Sequence, residues 1–278
     1  MVENEKKEKS RRDLFKAAGA LAIGAVTTNL LSPKEAEAAQ AKAPRWAMVI
    51  DIRRCVGCFS CQVSCKMENA FPMDIFGAWV LALDKGQYPD AQRVFLPKLC
   101  NNCEGNKEDK IPPCVKACPE YPKERQEFIT PEGKKIRYRD GATYKRPDGL
   151  ILINNEACTG CGKCIEACPY GVRSFDKRIV AGKDKTKHGV TKCNFCQPRI
   201  DAGLEPSCVR NCVGKARVFG DLNDPNSEVS KLIKENTTKV LKPEEKTSPC
   251  VYYIELDDDI AKIEDNTNPK PKITETQG

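Results

Sequence analysis

Short apolar runs recur along the chain, each ending just before a knot of closely spaced cysteines. Met48-Val49-Ile50-Asp51-Ile52 leads to Cys55, Val94-Phe95-Leu96 to Cys100, and Leu150-Ile151-Leu152-Ile153 to Cys158. Runs this short and rich in β-branched residues read as strands. In every knot the last cysteine lies four residues after the third, which is one helical turn. The recurring unit is therefore strand, cysteine loop, short helix. Gly57 and Gly160 sit between neighbouring cysteines, where a tight turn calls for a residue free to adopt positive φ.

Other stretches fall outside this repeat. Ala70 to Gln92 is an insertion carrying Trp79, and Glu104 to Pro113 lengthens the second knot. Glu120 to Asp140 is charged and punctuated by Gly and Pro, and reads as a surface excursion. Asp257 to Gly278 is polar and contains proline, and is expected to be a loose tail. At the other end, Ser10-Arg11-Arg12-Asp13-Leu14-Phe15-Lys16 is a twin-arginine motif. It is followed by a weakly apolar stretch from Ala17 to Leu31 and by Ala36-Glu37-Ala38, a small-residue cleavage site. The apolar stretch is too short and too polar for a membrane span, and no later segment approaches one. The reading is a signal peptide over residues 1–38 and a mature chain on the outer side of the cytoplasmic membrane. The twin-arginine route carries folded proteins, which suits a chain loaded in the cytoplasm with a cofactor. A disulfide-rich protein would leave unfolded and oxidise afterwards.

The chain has 278 residues, of which 6% are aromatic, and its mean hydropathy is −0.53. An ordinary apolar core would be thin for this length, so another device must hold the loops. The 17 cysteines are that device. Sixteen fall into four groups: Cys55, Cys58, Cys61 and Cys65; Cys100, Cys103, Cys114 and Cys118; Cys158, Cys161, Cys164 and Cys168; Cys193, Cys196, Cys208 and Cys212. Cys250 is left over, most simply as a buried or idle thiol. The first and third groups read C-x2-C-x2-C-x3-C, the spacing of bacterial [4Fe–4S] ferredoxins, in which the fourth cysteine ligates a neighbouring cluster. Cys118 and Cys168 are followed by proline, which ends the helix there. Zinc is the competing reading, but one tetrahedral ion typically takes two separated C-x2-C knuckles. The single histidine, His188, is not part of a C-x-x-C-H haem motif and argues against His-based zinc sites.

The groups can exchange their fourth cysteines in two ways. Nested exchange joins one with four and two with three; each pair then combines a compact with a stretched group, and the Cys-Pro types match. Sequential exchange, one with two and three with four, mixes the proline types and stands as the alternative. The preferred nested exchange gives four ligand sets. They are Cys55, Cys58, Cys61 and Cys212; Cys65, Cys193, Cys196 and Cys208; Cys100, Cys103, Cys114 and Cys168; and Cys118, Cys158, Cys161 and Cys164. The expected architecture is α+β: two bacterial-ferredoxin-like modules with inserted loops, each holding two [4Fe–4S] clusters. One spans 44–99 with 186–256 and the other 100–185, with the tail at 257–278.

The formal charge is +7. Residues 1–38 carry seven basic and six acidic groups, leaving about +6 on the mature chain. Four clusters, each about −2 with its thiolates, subtract about 8. The loaded protein is then near neutral, and no nucleic-acid partner is expected. Nothing in the chain supplies a nucleophile–base pair or a Gly-rich nucleotide fingerprint, so a catalyst is not expected either.

At its cysteine motifs the chain resembles the four-cluster β subunits of the dimethyl-sulfoxide-reductase type of molybdopterin oxidoreductases. Within that family, three stretches are most similar to the tetrathionate-reductase branch: Trp46 to Cys58, Cys208 to Arg217 with Gly220 to Pro225, and Lys239 to Pro249 with Tyr252-Tyr253. The resemblance implies nested ligand exchange and four [4Fe–4S] clusters. It also implies two partners: a molybdopterin catalytic subunit and a membrane-anchored quinol-oxidising subunit. The expected function is an electron wire between them, in a tetrathionate, thiosulfate or polysulfide type of respiratory reductase. The alternative within the same class is a subunit of another periplasmic respiratory or sulfur-metabolism complex.

Overall fold

The computed structural model describes residues 43–120 and 141–263, together with the backbone of 126–129 and 135–138. The twin-arginine segment, the remainder of the 120–140 excursion and the tail beyond 263 lie outside the described residues.

Four strands make the central sheet. Strand β1 (Trp46–Asp51) pairs antiparallel with β10 (Arg217–Asp221) and parallel with β12 (Val251–Ile254), and β11 (Thr238–Lys239) closes the edge. The order across the sheet is β10-β1-β12-β11. Side chains alternate across a strand, and β1 is buried on both faces. Met48 and Ile50 point into the main core with Leu96, Leu99, Phe195 and Tyr253. Ala47 and Val49 point the other way, onto Val229, Leu232 and Ile233 of the helix Glu228–Glu235. That helix starts cleanly because the Ser227 side chain accepts from the Ser230 N–H at 3.2 Å.

The strands expected ahead of the first three groups are present: β1, β3 (Gln92–Leu99) and β7 (Ile151–Ile153). A fourth, β9 (His188–Thr191), precedes Cys193. Strand β7 is held by β6 (Thr143–Lys145) and β9 by β8 (Ser174–Val180), each pair antiparallel. The expected helical turns follow, with α1 (Ser60–Asn69) carrying Cys61 and Cys65. Cys114, Cys164 and Cys208 lie in the four-residue helices α2 (Pro113–Lys116), α3 (Lys163–Glu166) and α5 (Ser207–Arg210), while α4 (Gln197–Asp201) follows Cys196. The helices associate as α1 with α5 and α2 with α3. Ser64 Oγ and Ser207 Oγ each donate to the other residue's carbonyl, at 3.4 and 3.3 Å, tying α1 to α5.

Two segments set apart from the repeat form strands. The insertion forms β2 (Ala78–Lys85), paired antiparallel with β3, and Trp79 is buried in the main core. The excursion forms a hairpin of β4 (Gln126–Ile129) and β5 (Lys135–Tyr138). Of the expected loose tail, the first part is structured. Asp258–Ala261 forms a helical turn whose Ile260 and Ala261 join the main core, and Ala261 C=O accepts from the Lys242 N–H at 3.0 Å. Two apolar side chains in a polar stretch are enough to anchor it. No helix among the described residues is long and apolar enough to cross a membrane.

Candidate metal centres

The same backbone device opens all four cysteine groups. The residue before the second cysteine has positive φ in each: Gly57 (66°), Asn102 (42°), Gly160 (66°) and Phe195 (57°). At Gly57 there is also no room for a side chain, since a Cβ would stand 2.3 Å from the Phe95 ring. The turn aims backbone N–H groups at the first cysteine of the group. Gly160 N–H donates to Cys158 Sγ at 3.3 Å and Phe195 N–H to Cys193 Sγ at 3.4 Å. The fourth cysteine can receive similar support, as Ala216 N–H donates to Cys212 Sγ at 3.2 Å. Donors of this kind suit a thiolate, an acceptor without a proton of its own.

Two hollows bring together cysteines that are distant in sequence. One is lined by Cys55, Cys58, Cys61 and Cys212, and the other by Cys118, Cys158, Cys161 and Cys164. A third gathering joins α1 to the fourth group, where Asn69 Nδ2 bridges Cys65 Sγ at 3.8 Å and Cys196 Sγ at 3.7 Å. Burial pushes the Cys65 thiol up, and the nearby Cys208 and Cys196 push it further. Burial likewise raises Cys208, to about 11. The fourth gathering joins the second and third groups. Burial raises Cys103 well above its ordinary value, reinforced by Cys100, Cys114 and Cys168. All 17 cysteines are unpaired by disulfide. Among the described residues, no three His, Cys, Asp or Glu side chains close in to grip a single metal ion; the thiols instead stand around wider spaces.

This donor set suits iron–sulfur clusters. Four thiols converge from two chain segments, their N–H donors are already in place, and they are mostly withdrawn from water. Cys58 and Cys161 are the exceptions, each exposed on one of the two hollows. Cys250 is buried with its thiol pushed up to about 12 by burial, near Glu104, Arg45 and Lys145, and lines neither hollow.

Several residues around the thiols carry no motif that picks them out in sequence. Asn69 is one. Thr247 is another, in a segment laid over the second group: Gly105 N–H donates to Thr247 C=O at 2.9 Å, and Tyr170 Oη and Thr247 Oγ1 lie 2.6 Å apart. The buried Arg173 and Arg217 complete the group. These two did leave a trace, since each lies five residues after the last cysteine of its group.

The 4Fe-4S dicluster domain family matches residues 91–222, which contain three of the four cysteine groups. A tetrathionate reductase subunit of Salmonella typhimurium is 36% identical over 261 residues, covering 90% of this chain and 90% of the relative. The iron–sulfur subunit of arsenate respiratory reductase from a Shewanella species is 36% identical, covering 76% of this chain and 96% of the relative. A selenate reductase subunit of Mesobacillus selenatarsenatis is 34% identical, covering 76% and 72%. Identity of 34–36% over most of each relative, together with the dicluster match, makes this chain a member of the family of 4Fe-4S iron–sulfur subunits of respiratory oxidoreductases.

Proposed function

We propose that the chain relays electrons through four [4Fe–4S] clusters between a membrane-anchored quinol-oxidising subunit and a molybdopterin catalytic subunit. The similarity to the tetrathionate reductase subunit favours a reductase of sulfur oxyanions or polysulfide. The chain is the wire and not the catalyst. When bound, each cluster supplies one-electron transfer and, with four cysteine ligands, leaves no iron open to substrate.

The observation that carries this reading is the arrival of Cys212 at the hollow of Cys55, Cys58 and Cys61, and of Cys118 at that of Cys158, Cys161 and Cys164. It supports four ligand sets in nested exchange: Cys55, Cys58, Cys61 and Cys212; Cys65, Cys193, Cys196 and Cys208; Cys100, Cys103, Cys114 and Cys168; Cys118, Cys158, Cys161 and Cys164. The pairing of α1 with α5 and of α2 with α3 supports the same division into two modules.

Proximity of thiols across sets favours an order among them. Cys61 acts on Cys65 and Cys208, linking the Cys55 set to the Cys65 set. Cys100 acts on Cys193, linking the Cys65 set to the Cys100 set. Cys114 and Cys118 both act on Cys164, linking the Cys100 set to the Cys118 set. The two sets at the ends of this line are those with an exposed cysteine, Cys58 and Cys161, which suits contact with a partner at each end.

Purifying the tagged chain anaerobically from its native membranes tests the role. A molybdopterin protein and a hydrophobic anchor are expected to come with it, and the clusters should be reduced by quinol only in that complex. Recovery of the loaded chain alone would count against the wire. The proposed location outside the cytoplasm has a separate test. Arg11→Lys combined with Arg12→Lys should leave cluster-loaded precursor in the cytoplasm, whereas normal export of the double variant would remove the twin-arginine reading.

A further inference from the structure

Arg173 and Arg217 occupy matching places in the two halves of the repeat, five residues after Cys168 and five after Cys212. Each is 2% exposed. A guanidinium cannot shed its proton in a protein, and burying one without compensation is strongly unfavourable. Their surroundings are mostly sulfur. Arg173 donates from Nη2 to Cys114 Sγ at 3.0 Å and from Nη1 to Thr143 Oγ1 at 3.4 Å. Arg217 Nη1 faces Met48 Sδ at 3.7 Å and Cys208 Sγ at 4.0 Å, while its Nη2 is buried with no hydrogen-bond partner.

The thiols around each arginine come from two ligand sets. Arg217 lines the hollow of Cys55, Cys58, Cys61 and Cys212, and its Nη1 also faces Cys208 of the Cys65 set. Arg173 donates to Cys114 of the Cys100 set and also to Thr143, which lines the hollow of Cys118, Cys158, Cys161 and Cys164. Each module thus keeps one permanent cation between its two sets. A cluster with four thiolates carries about −2, and about −3 after taking up one electron. A fixed positive charge close by, in surroundings of low dielectric, favours the more negative state.

We propose that Arg217 and Arg173 are the charge-compensating residues of the two cluster pairs, each one cation shared by two neighbouring clusters and holding both toward the reduced state. This rests on the ligand sets proposed above. The Cys65→Ala and Cys118→Ala variants, read by EPR with the altered centre placed by anomalous scattering, test those sets separately, so that either idea can fail alone.

The experiment is an EPR-monitored redox titration of the loaded full chain, with dithionite as the one-electron reductant and no bond made or broken. Arg217→Gln removes the charge and Arg217→Lys keeps it. In the glutamine variant, the two clusters nearest Arg217 should titrate at lower potentials while the other two stay where they were. The lysine variant should return them toward the parent values. Arg173→Gln should give the mirror result. Unmoved potentials in the glutamine variants, equal shifts of all four clusters, or equal shifts with glutamine and lysine would overturn the proposal. If a glutamine variant fails to hold its two clusters, iron content becomes the readout. Full loading of the lysine variant then supports the role of charge, and equal loss in both variants overturns it.

Discussion

Replacing Cys65 by alanine is expected to damage the cluster held by Cys193, Cys196 and Cys208, and to spare the one held by Cys55, Cys58 and Cys61. The spared centre keeps Cys212, which lines the same hollow as those three thiols. The damaged centre loses the thiol that Asn69 joins to Cys196. By the same logic Cys118→Ala should injure the centre of Cys158, Cys161 and Cys164, not that of Cys100 and Cys103, because Cys118 lines the former hollow. A missing thiolate leaves one iron labile, so the expected signature is one four-iron signal replaced by a three-iron signal, or lost altogether. EPR redox titration of each variant, with anomalous scattering to place the altered centre, reads the outcome. Loss at the Cys100 centre in Cys65→Ala would make the exchange sequential.

Stripping the iron should have a larger effect on the fold than any single substitution. Cys61, Cys65, Cys100, Cys168, Cys193 and Cys208 are themselves walls of the main core, and the groups opposite them have no apolar substitute. Without clusters, Arg173 and Arg217 lose the anionic charge beside them, because burial raises the thiols of Cys164, Cys168 and Cys208 and favours their neutral form. A buried charge left without its partner costs about 3–5 kcal/mol, and a whole domain is stable by only about 5–15 kcal/mol. Two such charges together with four emptied cages should exceed that margin, so folding and loading are coupled. Chelation under reducing conditions should therefore abolish the cooperative thermal transition and expose the chain to protease throughout. An apo chain that keeps a cooperative transition within a few degrees of the loaded one would contradict this.

What could be read from the sequence was what depends on local spacing. The strand before a cysteine loop and the helical turn after it follow from residues within a dozen positions of one another, as around Cys55 to Cys65. The preference for nested exchange rests in sequence on the Cys-Pro pairs at Cys118 and Cys168, which mark two groups as alike. The positive φ at Phe195 was less visible than at Gly57, Gly160 or Asn102, because phenylalanine, unlike glycine and asparagine, rarely adopts it. The insertion gave no sign that Trp79 would be buried, since its partner strand β3 belongs to the next repeat. Ile260 sits in a polar stretch, and its burial depends on a core assembled from far upstream. Asn69, Thr247 and the two arginines matter through sulfur atoms that only the folded chain brings within reach, at separations such as the 127 residues between Asn69 and Cys196.

The central claim is that sixteen cysteines hold four four-iron clusters in one chain. Its most direct test is the iron, acid-labile sulfide and zinc content of anaerobically purified full-length protein, combined with EPR of the oxidised and reduced forms. The expected result is about 16 iron and about 16 sulfide per chain, brown colour, negligible zinc and no three-iron signal when oxidised. About 12 iron per chain with a persistent three-iron signal, or colourless protein with stoichiometric zinc, would contradict it.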